Sequence, residues 1–278
     1  MTDRLSEILR WYAEMGVDIA VDETPHDRFA ESRISATPQT RTETSGAAPP
    51  AVEARARATR YAPALAAGVI EATAQDSAAA AKSLSDLRES LSRFEGCGLK
   101  ATATNLVFGD GNPRADIMLI GEAPGADEDR QGVPFVGRAG QLLDKMLASI
   151  GLDRSKVYIA NVVPWRPPGN RTPTPLETSA CLPFTRRQIE LVDPKILVCL
   201  GTAAAQTLLG AKDGIMRLRG RWFAYQAGGK EIRAIAMLHP AYLLRQPAQK
   251  KLAWQDLRAL AKEMNRLQLF AKKERDGI

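Results

Sequence analysis

The sequence is poor in the residues that build covalent cross-links and imidazole sites. Its 278 residues include three cysteines, Cys97, Cys181 and Cys199, and two histidines. A small, odd number of cysteines argues against a disulfide framework and for a reducing compartment. We therefore expect a cytoplasmic protein associated with the nucleoid. Any imidazole chemistry has one obvious source, His239, because His26 lies in a weakly patterned segment.

Long apolar runs are absent as well. No stretch of about 18 consecutive apolar residues occurs, so the sequence predicts no membrane-spanning helix. The first sixteen residues contain acidic side chains and lack an apolar core with a cleavage site, which argues against a secretory signal. The net charge of +6 and the pI near 9.3 favour a polyanionic partner such as nucleic acid.

The apolar pattern divides the chain into three regions. Residues 1–20 are predicted to form an amphipathic helix, since Leu5, Ile8 and Tyr12 recur at helical spacing, and its partner is unknown. Residues 21–82 are rich in alanine and proline and poor in large apolar side chains, which predicts a disordered linker. Residues 83–273 are predicted to form the compact, catalytic domain.

Strands and helices alternate along the predicted domain. Four apolar segments, ADIMLIG, KVYIAN, KILVCLG and IRAIAMLH, are each followed by a helical pattern. Continuous apolar strands with intervening helices predict an α/β fold, here a three-layer α/β/α arrangement around a central, mainly parallel four-stranded sheet. Ligands of such sheets bind beyond the carboxyl ends of the strands.

Chemically capable side chains follow three of these strand ends. Glu122 and Glu128 lie in the glycine-rich stretch GEAPGADEDRQG after the first strand, and Phe135 comes a few residues later. Asn161 ends the second strand and His239 the fourth. Each residue also has a plain structural interpretation: the carboxylates as caps, Phe135 as core, Asn161 as a turn residue and His239 as a buried structural histidine.

These residue types suit the cleavage of a base–sugar bond. An amide offers one donor and one acceptor to a nucleobase edge, and an aromatic ring stacks on a planar ligand. A neutral imidazole can donate a hydrogen bond to charge that grows on a carbonyl oxygen. A carboxylate can orient water or stabilise a positively charged sugar.

The segment PAYLLRQPAQKK after His239 predicts contact with DNA. Leu243 and Leu244 stand between prolines and cations, which is typical of a wedge that holds an extruded base out of a duplex. Arg171 and Arg245 are predicted to bind phosphates. The alternative is that the two leucines open the last helix and pack inward.

Three motifs together resemble the uracil-DNA glycosylase superfamily, and within it the family 4 enzymes. They are GEAPGADEDRQGVPFVGRAGQLL, NVVPWRPPGNRTPTP and HPAYLLR, and the resemblance covers roughly residues 84–270 in the right order. It implies the glycosylase fold and excision of uracil from DNA to leave an abasic site, which begins base excision repair.

The resemblance implies a role for individual residues. These are Glu122 and Ala123 facing the scissile bond, Glu128 beside the sugar, Phe135 stacking on uracil, Asn161 reading its edge, His239 at the uracil O2 oxygen, and Leu243, Leu244 and Arg245 in the intercalating loop. Ala123 stands where the classical glycosylases have a water-activating aspartate, and the resemblance to family 4 implies alanine or glycine at this position. The water must then be positioned by Glu122 or Glu128, and the sequence leaves both open.

One departure from family 4 concerns a cofactor. The resemblance to family 4 implies an iron–sulfur cluster held by four cysteines, of which Cys97 and Cys181 occupy two positions. Phe94 and Trp165 occupy the other two, and neither ring supplies a ligand. We therefore predict no cluster and no metal.

The sequence is compatible with three functions. The leading one is a monofunctional glycosylase, because no lysine in the motifs could form a Schiff base, acting on uracil and on other deaminated bases such as xanthine or hypoxanthine. The second is a non-enzymatic binder of uracil- or abasic-site DNA. The third is a magnesium-dependent nuclease or nucleotide hydrolase that uses the carboxylates. We expect a monomer without a membrane partner; the strand preference stays open.

Overall fold

The computed structural model describes residues 67–269 and contains a six-stranded mixed sheet within that range. The strands are β1 (Asp110–Gly111), β2 (Ile117–Gly121), β3 (Val157–Asn161), β4 (Ile196–Leu200), β5 (Trp222–Ala227) and β6 (Lys230–Met237). Their order is β1-β3-β2-β4-β6-β5, with four central parallel strands and an antiparallel strand at each edge. The predicted parallel strands are the central four, and the three-layer fold is confirmed.

Nine α-helices connect and cover these strands in the described range. They are α1 (Ala67–Ala80), α2 (Leu84–Arg93), α3 (Ala126–Gln131), α4 (Arg138–Ala148), α5 (Pro175–Val192), α6 (Thr202–Leu209), α7 (Ile215–Leu218), α8 (Pro240–Arg245) and α9 (Lys250–Arg266). Between residues 67 and 269, no helix combines the length and apolar character that a membrane crossing requires.

The sheet separates two apolar layers. Met118 and Ile120 of β2 pack into the layer formed with α1, α2, α5 and α6, whereas Ile117 and Leu119 pack into the layer formed with α4, α8 and α9. Successive strand residues point to opposite faces, so a strand buried on both sides must be apolar throughout. This is why the four central strands could be predicted from continuous apolar runs.

The predicted linker is wrong at its C-terminal end. Residues 67–80 form α1, which packs against α5 with Ile70, Ala74 and Ala78 buried. The Arg187 guanidinium of α5 donates to the Ala81 carbonyl at 3.0 and 2.8 Å. Alanine buries little surface by itself, but its small side chain lets two helices approach closely enough to pack. The compact domain therefore begins by residue 67, and the predicted helix at residues 1–20 lies outside the described residues.

The prediction also missed the antiparallel edge strand β5. It pairs with β6 through a hairpin whose turn residues, Gly228 and Gly229, have φ values of 53° and 85°. A two-residue turn with positive φ at both positions favours glycine strongly, so the Gly-Gly pair was an available signal.

Candidate active site

The carboxyl ends of the parallel strands open into a cavity of about 710 Å³. Eight of the residues predicted from the sequence line it: Glu122, Ala123, Glu128, Phe135, Asn161, Arg171, His239 and Arg245. Leu243 and Leu244 do not line it. Segments far apart in sequence thus meet at one edge of the sheet, as parallel topology requires.

Asn161 lines this cavity and carries an unpaired acceptor atom. The residue ends β3 and is 4% exposed, and its Oδ1 atom has no hydrogen-bond partner among the described residues. A buried polar atom without a partner is costly, and native proteins rarely tolerate one. Asn161 Oδ1 is therefore an acceptor that a ligand with a suitable donor could satisfy.

Gly121 makes room for both the amide and the aromatic ring. It pairs with Asn161 in the parallel register of β2 and β3. A Cβ atom built on Gly121 would lie 2.5 Å from Asn161 Oδ1 and 2.7 Å from Phe135 Cζ. The missing side chain at this strand end therefore sets how closely the amide and the ring approach each other.

Phe135 has a backbone conformation that residues other than glycine rarely adopt. Its φ is 55°, in the left-handed region, and its ring is almost fully buried. The Phe135 carbonyl accepts a hydrogen bond from Arg154, which also pairs with Asp110 at 2.6 Å. Close packing of Gly140 fixes the same carbonyl, since a Cβ there would lie 1.6 Å from the oxygen. Sequence reasoning missed Arg154 because it lies outside the recognised motifs and reaches the Phe135 loop through a backbone carbonyl.

The tautomer of His239 is set by the backbone of α8. The Ala241 N–H donates to His239 Nδ1 at 3.1 Å, so the neutral ring carries its proton on Nε2. Burial lowers the pKa of His239 to about 4, and the nearby charge of Arg245 acts in the same direction. The ring lies beside Phe135, with centroids 5.5 Å apart. His239 is thus a neutral donor at neutral pH.

The carboxylate of Glu128 is bonded to its own loop through both oxygens. Oε1 accepts from the N–H groups of Val136 and Gly137 at 3.0 and 2.9 Å, and Oε2 accepts from Gly125 N–H at 3.1 Å. Three backbone donors fix the loop between the strand end and α4. Both carboxylate oxygens are therefore occupied by structural bonds.

Glu122 lies in a different environment, although both glutamates line the cavity. Its side chain is half-buried, and burial raises the pKa of its carboxyl above the usual value while a hydrogen bond with Thr172 opposes that rise. No backbone amide among the described residues saturates its oxygens. Glu122 is the carboxylate that retains acceptor capacity for a water or a ligand.

The two predicted phosphate-binding arginines differ in how free their charge is. Arg171 forms a bidentate pair with Glu177 at 2.8 and 2.7 Å, and this pairing lowers the pKa of Glu177 to about 2. Arg245 is exposed at the cavity mouth and forms no ion pair within residues 67–269. In this conformation Arg245 offers the less compensated positive charge.

The predicted intercalating role of Leu243 is not supported. Leu243 is 1% exposed and packs into the apolar layer with α4 and α9, as the alternative interpretation held. Leu244, its neighbour on α8, is 36% exposed. Adjacent residues on a helix point in different directions, so one leucine anchors α8 and the other stays accessible.

Together these side chains define a site for a planar, polar ligand next to groups able to assist hydrolysis. A family model described as the uracil DNA glycosylase superfamily matches residues 108–258. The chain belongs to this superfamily, as its motifs predicted.

Several characterised proteins are similar to this chain. A type-4 uracil-DNA glycosylase of Archaeoglobus fulgidus is 46% identical over 170 residues, which cover 60% of this chain and 85% of the relative. A type-4 enzyme of Thermotoga maritima is 41% identical over 187 residues, covering 67% and 93%. A type-5 uracil-DNA glycosylase of Thermus thermophilus is 36% identical over 118 residues, covering 37% and 53%.

The residues at the expected cluster position do not fit a four-cysteine iron–sulfur centre. Cys97 and Cys181 are buried, and the interaction between their thiols lowers the pKa of Cys97 and raises that of Cys181. The ring of Phe94 packs on Phe184 at 5.0 Å, and Trp165 is buried as well. The chain holds one further cysteine, in β4. One copy of the chain therefore cannot supply four thiolates.

Proposed function

We propose that the protein is a monofunctional DNA glycosylase that hydrolyses the N-glycosidic bond of uracil in DNA and leaves an abasic site. The observation that carries the proposal is the unpaired, buried acceptor of Asn161 in one cavity with Phe135 and His239. Membership of the superfamily and the type-4 relatives support the same activity. The reaction would begin base excision repair, with DNA as the partner.

Recognition would follow from the shape and polarity of the cavity. The uracil extruded from the helix stacks on Phe135, and its edge meets the side-chain amide of Asn161. Uracil brings an N–H donor next to a carbonyl acceptor, which satisfies both Asn161 Oδ1 and its amino group. Cytosine presents an unprotonated ring nitrogen there, so Oδ1 would stay unpaired.

The chemistry would rest on His239 and Glu122. As the bond between C1′ and the base nitrogen breaks, negative charge grows on the departing uracil, and His239 Nε2–H donates to its O2 oxygen. Glu122 orients a water toward C1′ and accepts its proton as the new C–O bond forms. Glu128 holds the loop in place through its three backbone amides. The proposal thus assigns the water to Glu122 and a structural role to Glu128, a choice that the sequence left open.

Two further features define the reaction. No lysine lines the cavity in the part of the chain that the structure describes, so the sugar would be attacked by water and not by an amine. The substrate range would extend to other deaminated bases such as xanthine or hypoxanthine. We infer a family 4-like enzyme without a cluster, working as a monomer.

A strand-cleavage assay tests the proposal. An oligonucleotide with one uracil is incubated with the protein, treated with alkali and separated on a gel, next to oligonucleotides carrying xanthine, hypoxanthine, thymine or cytosine. Breaks that need both uracil and alkali are expected, and EDTA should not prevent them. A nuclease would break the strand before alkali, in an EDTA-sensitive manner.

The second candidate, a non-enzymatic binder of uracil- or abasic-site DNA, is favoured by one observation. Ala123 provides no carboxylate at the position where the classical glycosylases activate water. In the same assay this candidate predicts a retarded complex with uracil DNA and no alkali-sensitive product.

A further inference from the structure

The outer side of α9 carries positive charge and an exposed aromatic ring. Trp254 is 45% exposed, and Lys250, Arg258 and Lys262 share its side of the helix because residues four apart are neighbours on a helix surface. All three cations are exposed. We call these four residues the basic stripe, and it spans roughly 18 Å at the rise of an α-helix.

The acidic residues of α9 face the other way. Asp256 is buried and pairs with Arg219 at 2.6 Å, while Glu263 is buried and pairs with Arg233 at 3.0 Å. Arginines from the body of the domain thus neutralise both carboxylates, and no carboxylate stands on the exposed side of α9. Across residues 67–269 the cations of the basic stripe form no ion pair, so their field is directed to solvent.

The basic stripe begins next to the cavity mouth. Arg245 lines the cavity, and one turn, Pro247–Gln249, joins α8 to α9. Near the C-terminal end of α9, Glu263 pairs with Arg233 of β6. Arg233 lies four residues before Met237, where β6 ends at the cavity edge, so this end of α9 is farther from the cavity. The stripe therefore leads from the mouth along the flank of the domain, continuous with the surface that a DNA substrate must approach.

We propose that the basic stripe binds an unpaired strand of DNA that leads away from the cavity. The cations suit successive phosphates, and an exposed tryptophan among them suits the face of a base. Bases in a duplex are already stacked on each other and offer no free face to Trp254. An unpaired strand can contact both the cations and the tryptophan of the basic stripe. A membrane is a poorer fit, because Trp254 is the single large apolar side chain exposed on α9.

Binding of oligothymidylate tests this proposal, which rests on DNA as the substrate class. The probe is a labelled, uracil-free strand of about 20 nucleotides, long enough to reach past the cavity, and its matched duplex serves as comparison. Fluorescence anisotropy across a salt series gives the affinity and its salt dependence. Because the probe holds no uracil, this readout is independent of excision.

The variants separate stacking from charge. Trp254→Ala should weaken single-strand binding about tenfold, the scale of losing one stacked base, and Trp254→Phe should retain most of the affinity. Arg258→Ala with Lys262→Ala should lower the slope of log K against log salt by about 1.4. Arg114→Ala with Lys145→Ala is the matched control, since both cations are exposed, form no ion pair within residues 67–269 and do not line the cavity, and its slope should equal that of wild type.

Wild-type affinity in Trp254→Ala, or an equal loss on the duplex, would overturn the assignment of an unpaired strand. An unchanged salt slope in the double variant would overturn the role of the cations. Excision of uracil at saturating enzyme is measured in parallel and should stay near wild type in all these variants. A wild-type protein that binds through the stripe yet excises nothing would refute the proposed function and leave the stripe standing.

Discussion

The backbone N–H of Ala241 donates to Nδ1 of His239 at 3.1 Å, and this contact assigns the ring proton to Nε2. The same residue therefore caps α8 and directs a neutral donor into the cavity. Since Nδ1 is already an acceptor, protonation of the ring would break the cap, and this adds to the effect of burial. Capping and donation thus depend on the same protonation state.

Replacing His239 should impair the chemical step. We expect His239→Ala to lower the single-turnover excision rate by about 100-fold, on the scale of losing one preorganised donor to an oxyanion. His239→Gln is the control, since its amide restores a donor at similar reach, and it should recover part of the rate. A rate for His239→Ala within threefold of wild type would contradict the assigned role.

The acidic limb of the pH–rate profile should belong to Glu122. Its pKa is raised by burial, so its ionised form is lost as the pH falls through a value above that of an ordinary glutamate. His239, with a pKa of about 4, stays neutral until lower pH. We expect one loss of rate on acidification, centred above the pKa of an ordinary glutamate, and Glu122→Gln should be slow and should not show that loss. An unaltered limb in Glu122→Gln would assign it to another group.

Substitutions of Glu122 and Glu128 should have different effects on stability and on excision rate. Glu128→Gln removes an acceptor from backbone donors that then lie unpaired, which should cost roughly 2 kcal/mol in the free energy of unfolding. Glu122→Gln should leave that free energy nearly unchanged while slowing excision. Denaturant unfolding and single-turnover kinetics on both proteins decide the matter. Loss of rate without loss of stability in Glu128→Gln would return Glu128 to the chemistry.

Asn161→Asp should relax the distinction between uracil and cytosine. A carboxyl group in place of the amide changes the donor and acceptor pattern that meets the base edge. The ratio of uracil to cytosine excision, measured on matched oligonucleotides, should fall by at least an order of magnitude, since the site would no longer leave a buried polar atom unpaired against cytosine. An unchanged ratio would show that another group reads the base.

Wild-type protein should purify without stoichiometric iron. Phe94 and Trp165 fill the positions where two thiolates would be needed, and iron analysis with a visible absorbance scan measures the content. Phe94→Cys with Trp165→Cys restores four cysteines and should take up iron on reconstitution. Stoichiometric iron in aerobically purified wild type would contradict the prediction.

The sequence predicted the central strands better than it predicted the helices or the loops. The central strands were predictable because burial on both faces demands an uninterrupted apolar run, and parallel topology then gathers their carboxyl ends. The direction of a single side chain was not predictable: Leu243 and Leu244 are chemically identical, and only tertiary packing decides which one is buried. Helix α1 was missed because alanine gives a weak burial signal until a partner helix is known.

The loop contacts were equally invisible in the sequence. Four acids in GEAPGADEDRQG are interchangeable by composition, and the structure distinguishes Glu128 by three backbone donors that come from both sides of the loop. Arg154 gave no signal either, since its bond to the Phe135 loop goes to a backbone carbonyl. Such contacts depend on backbone geometry, which pattern alone does not specify.

Gly121 should tolerate no side chain. Gly121→Ala would place a methyl group 2.5 Å from Asn161 Oδ1 and 2.7 Å from the Phe135 ring, so at least one must move. We expect excision to fall more than tenfold, and overpacking to cost about 1–3 kcal/mol of stability. Gly98→Ala is the control, because no heavy atom lies within 4 Å of the added carbon. Wild-type rates in Gly121→Ala would show that the site is looser than its geometry indicates.

The empty position beside Gly121 also bears on how this pocket can evolve. Asn161 and Phe135 both border the space that a side chain at residue 121 would occupy. A change of size at either residue therefore alters the space left to the other. Substitutions at the three positions should be epistatic, each harmful alone and tolerated in matched combinations. A library that varies residues 121, 135 and 161 together would then reach new base preferences that single-site mutagenesis cannot.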